Sequence, residues 1–140
     1  MGPPPHTAAK TFTTEFYTAL DNDRAQLSRF YGPNAGIVWN GNPVSSGAEF
    51  TAFYAKMPPT KFEVQSYDAQ PIKPDGRGSC SFLLLVSGQV RIGPEGSSSS
   101  STPASSAPPV RGFSDTFVMQ PDIKEPTRFL IATQGFRLVV

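Results

Sequence analysis

The stretch SCSFLLLVSGQVRI at residues 79–92 alternates between apolar and polar side chains. A period of two is typical of a β-strand that lies with one face against a hydrophobic core. Leu83 and Leu85 interrupt the polar side of this pattern. We therefore expect a strand of an antiparallel sheet, with helices on one face and an unusual apolar patch on the other. The side chains predicted to face the helices are Cys80, Phe82, Leu84, Val86, Val90 and Ile92.

Helices are expected before this strand. Phe12, Phe16 and Leu20 recur at helical spacing, which predicts a first amphipathic helix on the core. Thr7 is available as its N-cap. A second short helix is expected to follow and to end at Gly32.

A third helix and a tight turn have the clearest local signals. Ser46 and Glu49 have the spacing of a capping box, which predicts that a helix begins there. The dipeptide at residues 40–41 is Asn-Gly, which is suited to a type I′ turn because both residues tolerate positive φ. A small hairpin is therefore expected after the β-prone residues 37–39.

The remaining segments predict further strands. A period of two starts at Lys61 and slips near Ser66, which a β-bulge would explain. Residues 111–120 and 128–140 also have strand character. The predicted fold class is α+β, with N-terminal helices packed on a curved, mostly antiparallel sheet.

The composition indicates one domain. A chain of 140 residues suits a single core. We expect a flexible Pro-rich tail at residues 1–9, a domain over residues 10–140, and a disordered Ser/Pro-rich loop at residues 93–110.

Charge and rare residues exclude several function classes. With 12 Lys plus Arg against 11 Asp plus Glu, we expect weak nucleic-acid binding by the chain alone. The single Cys80 cannot form an internal disulfide, and the start of the chain lacks the apolar run of a signal peptide, so we expect a cytosolic or nuclear protein. No Ser/His/Asp arrangement is expected, because the sole histidine, His6, lies in the predicted tail. No metal or cofactor site is expected either, since Cys80 has no neighbouring ligand pattern and no phosphate-binding loop is visible. No membrane insertion is expected, because the sequence has no apolar stretch of 18 residues.

One enzymatic alternative stays open. A helix-plus-sheet cone can hold a carboxylate and a tyrosine that move a proton next to a carbonyl. The candidates are Asp68 and Asp115 with Tyr17 or Tyr67. A surface or interface carboxylate is the commoner use of an Asp in a strand, so we expect a non-catalytic protein.

Three explanations of the apolar patch are open: the chain's own loops cover Leu83 and Leu85, the two residues are tolerated singly on the surface, or the patch is a protein interface. Each exposed Leu would leave about 1.5–3 kcal/mol of burial unrealised. The last predicted strand carries Arg137 among apolar residues, and no clear mate for it is visible in the chain. An Arg in an apolar patch needs a carboxylate partner, which favours an interface with another protein.

Several segments resemble the small subunit of the TAP-type mRNA export receptor, a member of the nuclear-transport-factor-2-like family. They are LSRFY at 27–31, VWNGNPVS at 38–45, Met57-Pro58, DAQPI at 68–72 and GFRL at 135–138. The resemblance implies a nuclear-transport-factor-2-like cone that forms a heterodimer with a similarly folded domain of the large subunit. In that family an Arg of the final strand pairs with an acidic residue of the large subunit and blocks homodimers, and Arg137 matches it. The expected interface residues are Leu83, Leu85, Ser87, Gln89, Ile131, Thr133 and Arg137.

The resemblance also implies a role and a place in the cell. The family's heterodimer carries mRNA, and in fungi ribosomal subunits, through nuclear pores by weak contacts with Phe-Gly repeats, while shuttling between nucleus and cytoplasm. The long Ser/Pro-rich insertion is typical of a fungal form. RNA would bind mainly through the large subunit. Lys73, Arg77, Arg91 and Arg111, near loop ends, are the candidates for additional phosphate contacts, although solvated loop charges are the commoner use of such residues. The alternatives are a homodimeric transport factor for a Ran-type GTPase and a cone-pocket enzyme of the ketosteroid isomerase type.

Overall fold

The computed structural model describes residues 4–72, 81–93, 109–125 and 127–139. Within these ranges the helices are α1 (Pro5–Asn22), a 3₁₀ helix (Arg24–Phe30) and α2 (Gly47–Ala55). No helix in this part of the chain is long and apolar enough to cross a membrane.

Helix α1 begins earlier than expected. Pro5 is the first helical residue and Pro4 is the N-cap, so the predicted tail at residues 1–9 is wrong from residue 5 onward and Thr7 is not the cap. A proline suits the first helical position because its fixed φ is helical and its missing N–H needs no partner there. Ala8 and Ala9 are buried, which anchors this first part of the helix on the core.

The described ranges contain six strands in one sheet, in the order β2-β1-β6-β5-β4-β3. Neighbouring strands are antiparallel except β1 and β6, which are parallel. The predicted α+β class is therefore confirmed. The strands are β1 (Tyr31–Trp39), β2 (Asn42–Val44), β3 (Thr60–Pro71), β4 (Phe82–Ile92), β5 (Val110–Pro121) and β6 (Phe129–Val139).

Strand β1 is longer than the sequence predicted. It starts at Tyr31, whereas a helix was expected to continue to Gly32. The pairing of β1 with β6 shifts register between Tyr31 and Gly36, so the Gly-Pro segment is accommodated as an irregularity of the strand.

The helices cover one face of the sheet through aromatic contacts. The Phe16 ring of α1 meets the Phe117 ring of β5 with centroids 5.6 Å apart. The Phe50 ring of α2 meets the Trp39 ring of β1 at 5.0 Å. Ring pairs at such distances add to the burial of their large apolar surfaces, so this face forms the core.

Two of the local predictions are confirmed. The Ser46 hydroxyl accepts a hydrogen bond of 3.1 Å from the Glu49 N–H at the start of α2. Asn40 and Gly41 have φ values of 49° and 84°, as a type I′ turn requires.

The predicted bulge in β3 is also confirmed, because the register against β4 shifts between Val64 and Ser66. The bulge brings the Glu63 carbonyl oxygen close to Gly88. A Cβ atom built at Gly88 would lie 2.0 Å from that oxygen, so only glycine fits.

Candidate functional site

The sheet face opposite the helices carries the predicted interface, and we call it the open face. Leu85, Val38 and Val139 have 46%, 45% and 52% of their surfaces exposed there. Single exposed aliphatic residues are common on protein surfaces, and the assignment of these three to an interface stays a prediction. The pairing of the strands places these residues on the open face: Val38, Leu83, Leu85, Ser87, Gln89, Thr116, Val118, Thr133, Arg137 and Val139.

The centre of the open face is apolar or small. Leu83 pairs with Val118, which in turn pairs with Thr133. In the next row, Leu85 pairs with Thr116 of β5. The structure thus brings together six of the seven predicted interface residues, namely Leu83, Leu85, Ser87, Gln89, Thr133 and Arg137.

Arg137 lies on the open face among small neighbours. Ser114 pairs with it directly, and Ser87 follows on β4. Among the residues that the structure describes, none forms an ion pair or hydrogen bond with the Arg137 guanidinium, and the side chain is exposed. A partner that covered this face without a carboxylate would bury an uncompensated charge.

The prediction for Ile131 is wrong. Strict alternation along β6 put it on the same face as Arg137, but Ile131 is fully buried in the core. The cause is a register shift between β5 and β6: Val118 pairs with Thr133 and Met119 pairs with Ile131, so residue 132 is an extra residue. Beyond a bulge, each side chain points to the opposite face of the sheet from the one that strict alternation predicts. The sequence has no glycine or proline at residue 132 or next to it that would indicate a bulge.

The predicted RNA-contact residues are only partly described. Lys73 and Arg77 lie outside the described residues. Arg91 and Arg111 are both exposed near the same end of the sheet. Arg91 pairs with Lys61 on the open face, whereas Arg111 pairs with Val90, whose side chain is in the core. The side chains of the two arginines therefore leave the sheet on opposite faces. Their contact with RNA stays a prediction.

A buried polar network lies between helix α1 and the core face of the sheet. The Tyr17 hydroxyl donates a hydrogen bond of 2.7 Å to Asp115 Oδ2, and the Gln134 Nε2 group donates one of 3.1 Å to Asp115 Oδ1. The Tyr31 hydroxyl donates to Gln134 Oε1. Burial raises the pKa of Asp115 to about 8, against the opposing effect of these donors. Burial and the nearby Asp115 raise the pKa of Tyr17 well above its usual value.

The network partly matches the enzymatic alternative. Asp115 and Tyr17 do meet, as that alternative required, but Asp115 has 0% of its surface exposed and Gln134 has 1%. The rings of Phe113, Phe62 and Phe136 pack against one another in the same part of the cone. The Asp115 carboxyl group is therefore buried in the core, away from any substrate in solution.

The other two candidates of that alternative lie elsewhere. Asp68 is exposed on β3 and pairs with Leu85, which places it on the open face. Tyr67 is 37% exposed. No local pattern indicated that Gln134 would bind Asp115 or that Tyr31 would bind Gln134, because these contacts join residues far apart in the chain.

The comparisons with known proteins identify the family. The family model for the Nuclear transport factor 2 (NTF2) domain matches residues 8–138, which is nearly the whole chain. The chain belongs to this family. The predicted NTF2-like fold is thereby confirmed. The open face of this NTF2-domain protein is the face on which the sequence indicated an apolar patch.

Its relatives include export proteins. The chain is similar to NTF2-related export protein 1 of Bos taurus, with 34% identity over 56% of each chain, and to that of Schizosaccharomyces pombe, with 31% identity over 60% of this chain and 70% of the yeast one. The match thus spans little more than half the length of the bovine relative. The solved structure of the Chaetomium thermophilum Mex67 NTF2-like domain complexed with Mtr2 is similar in fold, with a TM-score of 0.75, 19% identity, and 96% and 98% of the two chains covered.

Proposed function

We propose that this chain is the non-catalytic small subunit of a heterodimeric nuclear export receptor and that it binds the large subunit through its open face. Two kinds of similarity support the proposal: relatives named NTF2-related export proteins, and a fold shared with a chain of the solved complex of a Mex67 NTF2-like domain with Mtr2. The observation that carries it is Arg137, an exposed cation whose direct neighbours on the open face, Ser114 and Ser87, are small.

The energetics of the open face favour a protein partner. Covering half-exposed aliphatic side chains such as Leu85, Val38 and Val139 stabilises a complex by about 1 kcal/mol each. A carboxylate of the partner would bind the Arg137 guanidinium bidentately and make its burial favourable. The same Arg would disfavour a second copy of this chain wherever the two-fold axis sets two guanidinium groups together.

The cargo and route follow from the proposed heterodimer. It would carry mRNA, and in the fungal case ribosomal subunits, through nuclear pores by weak contacts with Phe-Gly repeats, and would shuttle between nucleus and cytoplasm. With a formal net charge of +1, this chain would leave most RNA binding to the large subunit. Arg91 and Arg111 are its described candidates for additional phosphate contacts.

The two alternatives have less support. A homodimeric carrier for a Ran-type GTPase is disfavoured by Arg137 on the face that would mediate dimerisation. A cone-pocket enzyme requires access to Asp115, whose carboxylate is sealed by Tyr17, Gln134 and the surrounding rings.

The proposal is tested by co-expressing the chain with the Chaetomium thermophilum Mex67 NTF2-like domain and measuring molar mass by size-exclusion chromatography with light scattering. We expect a 1:1 complex with the native chain and loss of the complex with Arg137→Glu. Lys61→Glu is the matched control, because it makes the same charge change at the edge of the open face. A homodimer that ignores both the Mex67 domain and Arg137→Glu would overturn the proposal, as would equal effects of the two substitutions.

A further inference from the structure

The turn after β1 contacts the strand that carries Arg137. The Asn40 N–H donates a hydrogen bond of 2.9 Å to the Phe136 carbonyl oxygen. The Asn40 Oδ1 atom accepts one of 2.8 Å from the Leu138 N–H. One residue therefore binds the two backbone groups that flank Arg137 in the chain.

The conformation of the turn makes this double contact feasible. The pairing of β1 with β6 ends at Trp39 and Phe136, so a further backbone acceptor for Leu138 would require β1 to continue. Instead, Asn40 takes a positive φ of 49°, and its side-chain oxygen replaces the missing backbone acceptor. Asparagine adopts this left-handed conformation more readily than most residues and also supplies the acceptor.

The core side of the same segment is fixed by Trp39. Its ring stacks on the Phe136 ring with centroids 3.8 Å apart and an interplanar angle of 9°. Both aromatic residues are buried. The backbone around Arg137 is thus held from the core by a ring stack and from the β1 side by two hydrogen bonds.

We propose that Asn40 is a positioning residue for Arg137: it fixes the backbone on both sides of that residue, and with it the position and direction from which the Arg137 side chain extends toward a carboxylate of the partner. The inference rests on the proposed function. An anchored backbone lowers the conformational entropy lost on binding, and a bidentate Arg–carboxylate contact depends strongly on orientation. This role gives the Asn40 side chain of the Trp-Asn-Gly segment a function in addition to its suitability for the turn.

The test is a double-mutant cycle on binding to the Chaetomium thermophilum Mex67 NTF2-like domain, measured by isothermal titration calorimetry. Asn40→Gly removes the side-chain acceptor and keeps a residue suited to positive φ. We expect it to weaken binding about five- to tenfold when Arg137 is present and less than about twofold in an Arg137→Ala background. Asn40→Asp retains an acceptor oxygen and should bind within about twofold of the native chain.

The outcomes separate this inference from the proposed function. Equal losses from Asn40→Gly in both backgrounds would overturn the positioning role and indicate a general structural effect. If Arg137→Ala leaves binding unchanged, the proposed function fails instead. Asn40→Ser serves as the second variant if Asn40→Gly does not fold, because the serine hydroxyl oxygen is too close to the backbone to reach the Leu138 N–H. We expect it to weaken binding in the same way, with the larger loss when Arg137 is present.

Discussion

The buried Asp115 carboxyl should make the stability of the domain fall as the pH rises. In the folded chain its pKa is raised from 3.8 to about 8, chiefly by burial. Between these values the folded state keeps the proton while the unfolded state has released it. Because the folded state then binds more protons, a rise in pH favours unfolding. The neighbouring Tyr17 and Tyr31 have raised pKa values and stay neutral throughout this range.

The size of the effect follows from the width of the window. Each pH unit inside it changes the free energy of unfolding by about 1.4 kcal/mol for a single proton. From pH 5 to pH 8 the contribution of Asp115 should therefore fall by about 4 kcal/mol. Typical domains are stable by about 5–15 kcal/mol, so this loss is large enough to measure.

The assay is urea denaturation at pH 5 and pH 8 of the native chain and of Asp115→Asn, which cannot ionise. We expect the difference between their free energies of unfolding to change by about 4 kcal/mol between the two pH values, with the native chain losing more. Asp68→Asn, which removes an exposed carboxylate, controls for the loss of one negative charge. A parallel fall of the native chain and Asp115→Asn would refute the reasoning, because Asp115 would then not retain its proton in the folded state.

Two further predictions concern local structure. Gly88→Ala should lower the free energy of unfolding by more than about 2 kcal/mol, because the new Cβ would lie 2.0 Å from the Glu63 carbonyl oxygen. The control Gly135→Ala, with no atom within 4 Å of its Cβ, should stay within about 1 kcal/mol of the native chain. Similar losses of the two variants in chemical denaturation would contradict this prediction. Ser46→Ala should cost about 1 kcal/mol through the lost cap of α2, seen as a melting temperature lower by about 3–5 °C, and an unchanged melting temperature would show that the bond to Glu49 adds nothing.

Much of the fold was predictable because its signals are local. The alternation in residues 79–92 is confirmed over β4, where Phe82, Leu84 and Val86 are buried while Leu85 is exposed. Such a pattern depends only on the geometry of a strand with one covered face. The Ser46 cap and the Asn-Gly turn were predictable for the same reason, since their conformational preferences involve a few consecutive residues.

The candidate site was predictable only in part. Leu85 and Arg137 were assigned to one exposed face from periodicity and resemblance, and the strand pairing brings them to that face. Ile131 was assigned to the same face and lies in the core. A bulge depends on how a strand fits its neighbour, so alternation within β6 alone could not reveal it.

The sequence by itself determined the order of helices and strands, the apolar excess on the second face of the sheet and the near-neutral charge, since each depends on local pattern or composition. Only the tertiary structure decided which residues meet. The fold brings hydrogen-bond donors of α1 and β6 to the buried Asp115 carboxyl group. It also brings Asn40 within hydrogen-bond distance of the two peptide groups that flank Arg137. These contacts join residues about 20 to 100 positions apart, and a one-dimensional pattern cannot specify partners that only the packing of a completed sheet brings together.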